Sequence, residues 1–178
     1  MKNKHCVTLL LSLFVTSGLF AQPPIRKDEG PASTEAEFEK QYQERITKEK
    51  LNGTFIPKNL EDALSELDKR ISPESQAKMK AMPEDSVCIF MHNRLGQWVI
   101  LNWGFYGGSR LSHYLRSAGI TFPDDMADFI ILAYHRKLNA KPIEIKELAA
   151  DFRMKRKKEF AEEKKKGKVI YESVIKKQ

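Results

Sequence analysis

Gly107-Gly108-Ser109-Arg110 is the stretch of this chain best suited to hold an anion. Two glycines leading into a helix expose backbone N–H groups at its positive end, and Arg110 adds a fixed charge. The Lys-Ser/Thr pair of a nucleotide-binding P-loop is missing, which argues against ATP chemistry. A carboxylate, a phosphate or a sugar acid would suit such a site. The competing assignment is architectural: the glycines turn a corner, Ser109 caps a helix, and Arg110 pairs with Asp124 or Asp125. Beside this segment stand Trp98, Trp103, Phe105 and Tyr106. Aromatic side chains supply rigid contact area for a peptide or a glycan. The tryptophans are expected to help fill the core. Phe105 and Tyr106, flanked by glycines, are expected to be exposed.

Catalytic chemistry has weaker support. His92, His113 and His135 follow the N-terminal segment, each on or beside an expected helix. Converging histidines would make a zinc site, but none belongs to an HExxH pair, so no metal is assigned. Ser109 or Ser112, His113, and Asp124 or Asp125 are the residue types of a hydrolytic triad. Ser109 and His113 share a helix face; Ser112 and His113 do not. The GxSxG elbow of a serine hydrolase is absent. The best hydrolase-like alternative is His113 or His135 working with Asp124 or Asp125. Cys88, between Val87 and Ile89, reads as a small buried hydrophobe. No cofactor loop is recognised, and none is assigned.

The elements that must carry these residues are helices. Thr34 with Glu37 forms a capping box before Phe38, Tyr42 and Ile46. Gly53 ends that helix, and Phe55-Ile56-Pro57 is a short extended entry. Asn59 caps a run from Leu60 to Arg70 with the apolar stripe Leu60, Ala63, Leu64 and Leu67. Ser72-Pro73 starts a short helix. Val87, Met91 and Leu95 mark the next, interrupted at Gly96. Residues 98–103 suit helix or strand. Ser109 opens a helix to Ala118, closed by Gly119. Asp124 is the expected cap of the most apolar helix, Asp125 to about Leu138, which should sit at the centre of the core. A last helix begins near Ile143 and is held by Ile145, Leu148, Ala149 and Phe152. The expectation is an all-α domain of six or seven helices over residues 34–152, with minor strand at 98–103 or 168–175 as the main risk.

The ends differ from the middle. Lys2 and Lys4 precede the uncharged run Cys6–Phe20, and Ala21 offers a cleavage point. That is the pattern of a signal peptide over residues 1–21. The run is shorter than the ~20 residues of a spanning helix. Leu19 is larger than the residue usual at its place. Residues 22–33 read as a disordered leader. Cleavage lowers the net charge from +7 to +5 and removes Cys6, leaving Cys88 without a disulfide partner. Residues 153–178 hold eleven Lys or Arg against four Glu, so the rest of the mature chain is about −2. This tail reads as a basic helical extension able to approach an anionic membrane surface. Interleaved Glu159, Glu162 and Glu163, and the lack of aromatic stacking residues among them, argue against nucleic acid.

Several segments together carry a resemblance. They are Phe55-Ile56-Pro57-Lys58-Asn59-Leu60-Glu61-Asp62-Ala63, Trp98, Asn102-Trp103-Gly104, and Gly107-Gly108-Ser109-Arg110-Leu111 with Tyr114. Gly119-Ile120, Pro123-Asp124-Asp125-Met126, Tyr134-His135-Arg136 and Leu138-Asn139 complete the set. Over roughly residues 54 to 143 the chain resembles an uncharacterised family of secreted or envelope proteins of the Bacteroidetes type. The resemblance implies a bacterial exported protein and brings no activity with it. The expected function is a periplasmic or extracellular binding domain. Its partner would be a protein, a peptide or an envelope glycan, met at the glycine-aromatic corner with Arg110 as anchor. An immunity-type protein that neutralises another protein is a further alternative.

Overall fold

The computed structural model describes residues 32–175, with side chains as far as residue 165. The expected signal peptide and nearly all of the expected leader lie outside the described residues. The first helix, α1 (Glu35–Arg45), starts where Thr34 accepts a hydrogen bond from the Glu37 amide. The reciprocal partner differs from the expected one: the Glu37 carboxylate accepts from the amide and hydroxyl of Ser33. No α1 residue is fully buried, so this helix lies on the surface.

The next turn departs from expectation. Gly53 does not end a helix; it closes a hairpin between β1 (Lys50–Leu51) and β2 (Thr54–Phe55). Asn52 and Gly53 both take positive φ, +50° and +79°. An Asn-Gly pair in that conformation makes the tight turn that joins twisted antiparallel strands. The hairpin delivers Ile56 into the core, where it is fully buried.

Helix α2 (Leu60–Arg70) follows, capped by Asn59, and buries Leu60, Ala63, Leu64 and Leu67 as its stripe requires. α3 (Pro73–Lys80) buries Met79 alone. α4 (Val87–Met91), a π-helical turn (His92–Gly96) and α5 (Gln97–Asn102) then run on as one rod. Gly96 therefore does not break the helix. It is buried, and the place of a missing Cβ lies 3.4 Å from the Ile131 side chain. The wider turn absorbs an extra residue while the backbone stays close to its neighbour. Residues 98–103 lie within this rod and the turn after it, not in a strand.

α6 (Arg110–Ser117) leads through Gly119, at φ +83°, into α7 (Pro123–Leu138). Phe122, not Asp124, stands at the α7 cap position, and no side chain caps it. Pro123 lacks an N–H to satisfy at this end, and Asp124 and Asp125 occupy the first turn. α7 is the central element and touches α2 to α6, the π turn and α8. Met126, Phe129, Ile130, Ala133 and Tyr134 on it are fully buried. α8 (Ile145–Ile175) begins two residues after Ile143 and runs on without a break at residue 152. Residues 168–175, for which helix and strand were both open, are part of that helix. With the rod taken as one unit, the described residues form seven helical units and one two-stranded hairpin, a mostly α fold.

Candidate functional site

The glycine-aromatic corner brings residues 42–56 against residues 98–113. Trp103 and Phe105 are completely buried; a place in the core was expected of Trp103, whereas Phe105 was expected to be exposed. Trp103 packs edge-on against Trp98, with centroids 5.7 Å apart. Phe105 enters the core because the turn at Gly104, φ +65°, reverses the chain over the end of α5. Tyr106 alone of the pair is exposed, at 63%.

The same packing closes the expected anion site. Gly108 takes φ +86°, and the Tyr42 ring lies directly against it. Arg45 covers Gly107, and its Nε–H donates to the Gly108 carbonyl at 3.0 Å. Ser109 and Ser112 cap each other: each hydroxyl accepts the other's amide, at 3.2 and 2.8 Å. The Ser109 and Ser112 amides are thus already used, and Tyr42 and Arg45 cover the two glycines. Arg110 reaches neither Asp124 nor Asp125. Its Nε–H donates to the Ile56 carbonyl at 2.6 Å, and its guanidinium sits 5.1 Å over the Phe55 ring. Arg110 fastens the hairpin to α6. The corner is architecture, and Tyr106 is its one exposed ring.

The histidines are dispersed as well. His113 pairs with the Tyr42 hydroxyl at 3.0 Å. His135 is buried, with Nε2 2.9 Å from the Met82 carbonyl. A carbonyl only accepts, so Nε2 carries the proton, and buried Nδ1 is left as an unpartnered acceptor. Asp125 is gripped by both arms of Arg156, at 2.7 and 2.5 Å. Among the described residues neither His113 nor His135 meets an acid, which removes the hydrolase arrangement built on them. Ser109 is buried inside its capping box and serves no histidine.

The histidine that does meet carboxylates is His92, in the π turn. Its Nδ1 lies 2.7 Å from Asp128 and its Nε2 3.6 Å from Asp124. Burial raises the Asp128 carboxyl above its ordinary value, outweighing the His92 hydrogen bond that lowers it. Cys88 stands one turn before His92, and its thiol donates to the Asp128 carbonyl at 3.5 Å. Burial, and then the Asp128 charge, push that thiol up to about 12. Cys, His and Asp thus come together, but the sulfur stays protonated and poorly nucleophilic at neutral pH. No group of three or more His, Cys, Asp or Glu among the described residues is arranged to hold a metal ion.

A groove of about 590 Å³ runs between the 119–122 turn and α8. Ile120 and Phe152 form part of its apolar lining, and Phe152 meets buried Phe129 edge-on at 6.0 Å. Phe122 and Phe160 belong to the same lining and are 44% and 64% exposed. Arg156 lies 4.5 Å over the Phe122 ring while it holds Asp125. Arg153 donates to the Ala118 carbonyl at 2.5 Å. Lys157 and Lys164 complete the basic side, so four cations face one carboxylate, Asp125. The sequence reading missed this site because it divided the chain after Phe152. The signal was there: Phe152, Arg156 and Phe160 recur every fourth residue, which aligns them on one helix face. A smaller groove of about 480 Å³ lies elsewhere, lined by Met79, Met91, Leu95 and Trp98, with Arg70 5.3 Å over the Trp98 ring.

Comparison with curated proteins finds no match. Comparison with solved structures finds none either. The groove's turn lies within the stretch that a known family does cover, and its α8 wall lies beyond it. Residues 56–138 match that family, described as a domain of unknown function (DUF6794).

Proposed function

We propose that this chain is an exported helical interaction module that binds its partner along the groove between the 119–122 turn and α8. One observation carries the proposal: Phe122 and Phe160 stay exposed on an apolar groove whose rim is basic. Large exposed rings cost free energy in water and are normal where a partner covers them. The partner is a protein or peptide rather than an envelope glycan. Two apolar rings beside lysines suit apolar and acidic side chains better than hydroxyl-rich sugars. The closed corner leaves Tyr106 at most a peripheral contact. Export is supported by the basic start and uncharged run before Ala21. Among the described residues no helix is long and apolar enough to cross a membrane.

A photocrosslinking amino acid placed at position 160 or at position 106, in the full chain in its native cells, tests the surface. The proposal expects one discrete adduct from position 160 and none from position 106. An adduct only from 106 would return the binding surface to the corner.

A further inference from the structure

We infer that the groove receives an acidic amphipathic helix, an inference that rests on the groove being the binding surface. Along α8, Phe152, Arg156 and Phe160 form one row, and Arg153, Lys157 and Lys164 form the row beside it. Phe152 to Ala161 spans about 14 Å of helix axis, some two and a half turns. A helix laid along that length places residues at spacings of three and four on the rings. Acidic residues flanking its apolar stripe then face the second row.

The charges divide by task. Arg153 is committed to the Ala118 carbonyl and Arg156 to Asp125. They build the wall. Lys157 and Lys164 supply the charge that meets the partner. Asp125, mostly buried beneath Arg156, opposes them weakly. Two other polyanions fit less well. Duplex DNA presents a charge about every 1.7 Å and is too wide to seat within the groove, so it would also meet Glu159, Glu162 and Glu163, which lie outside the groove lining that a single helix contacts. A flat bilayer cannot enter a groove bounded by the 119–122 turn.

The test uses the isotope-labelled mature full chain. It is titrated with a helical peptide of about 18 residues, five turns, bearing a leucine stripe flanked by glutamates. A peptide with lysine at each glutamate position and anionic phosphatidylglycerol vesicles form the other arms. The acidic peptide should shift amide resonances of residues 119–125 and 152–161. The double variant Lys157→Glu/Lys164→Glu, with unchanged helical circular dichroism, should weaken its binding about tenfold. Equal binding of the acidic and basic peptides overturns the inference, as does retention of full affinity by the double variant. Shifts in the groove with vesicles alone also overturn it, yet leave the groove as the binding surface. No shift in any arm, together with no adduct from position 160, removes both.

Discussion

Gly96 and Gly108 are both buried, and a methyl group should affect them in opposite ways. At Gly108 a Cβ would fall inside the Tyr42 ring, on a backbone already at φ +86°. Gly108→Ala should therefore cost about 2–4 kcal/mol in denaturant unfolding, from left-handed strain plus overpacking. At Gly96 the nearest atoms lie 3.4 and 3.5 Å from that Cβ, ordinary contact, and φ is helical. Gly96→Ala should be neutral or stabilise by up to about 1 kcal/mol. Arg110→Ala should cost about 1–3 kcal/mol, the size of a charge-assisted hydrogen bond, without changing affinity at the groove. Glu84 gives the pH test. Hydrogen bonds from Lys141 and Arg136, both at 2.7 Å, hold its carboxyl below the ordinary 4.5 despite partial burial. Its folded form is thus favoured when ionised, and its contribution is complete above the ordinary value. That contribution is lost as pH falls through the lower folded value. Glu84→Gln should cost about 1 kcal/mol at neutral pH, and the difference from wild type should vanish in acid unfolding curves.

Elements whose ends carry a local chemical signal were legible in the sequence. Asn59, Ser72 and Ser109 cap α2, α3 and α6, and Gly119 closes α6, each through bonds among near neighbours. Features set by tertiary contact were harder to see. The π turn packs Gly96 against Ile131, a residue 35 places away. Phe105 is buried because the chain reverses over α5, which no local pattern encodes. The Asn52-Gly53 hairpin is legible in its turn chemistry, which outweighs the helix stop that Gly53 alone suggests. A division at residue 152 hides the groove, because charge density alone reads as the end of the packed domain. In the folded chain Arg153 and Arg156 reach back to Ala118 and Asp125. α8 consequently has two kinds of aromatic residue. Phe152 is partly buried on Phe129, and Phe152→Ala should cost about 2–3 kcal/mol by lost packing. Exposed Phe160→Ser should leave unfolding within about 0.5 kcal/mol of wild type while weakening the groove's ligand.

At the scale of the molecule, charge and apolar surface are placed separately. The core around α7 is closed, the corner that joins α5 to α6 is used up in its own bonds, and α8 presents rings beside lysines. Residues 153–165 carry seven Lys or Arg against three Glu, beside a body over residues 32–152 with a net charge of −2, and the groove lies near the join. Attraction of an acidic partner should weaken with ionic strength, since exposed charges beyond about 10 Å are screened at 0.1 M salt. The measurement that decides most directly is the affinity of the acidic amphipathic peptide for four proteins side by side. They are wild type, Phe160→Ser, Tyr106→Ala and Arg110→Ala, each shown folded by circular dichroism. Binding should be weakened about tenfold or more by Phe160→Ser, on the order of 1.4 kcal/mol, and unchanged by the other two. Loss of binding in Tyr106→Ala or Arg110→Ala, with Phe160→Ser unaffected, would place the site at the glycine-aromatic corner and contradict the account.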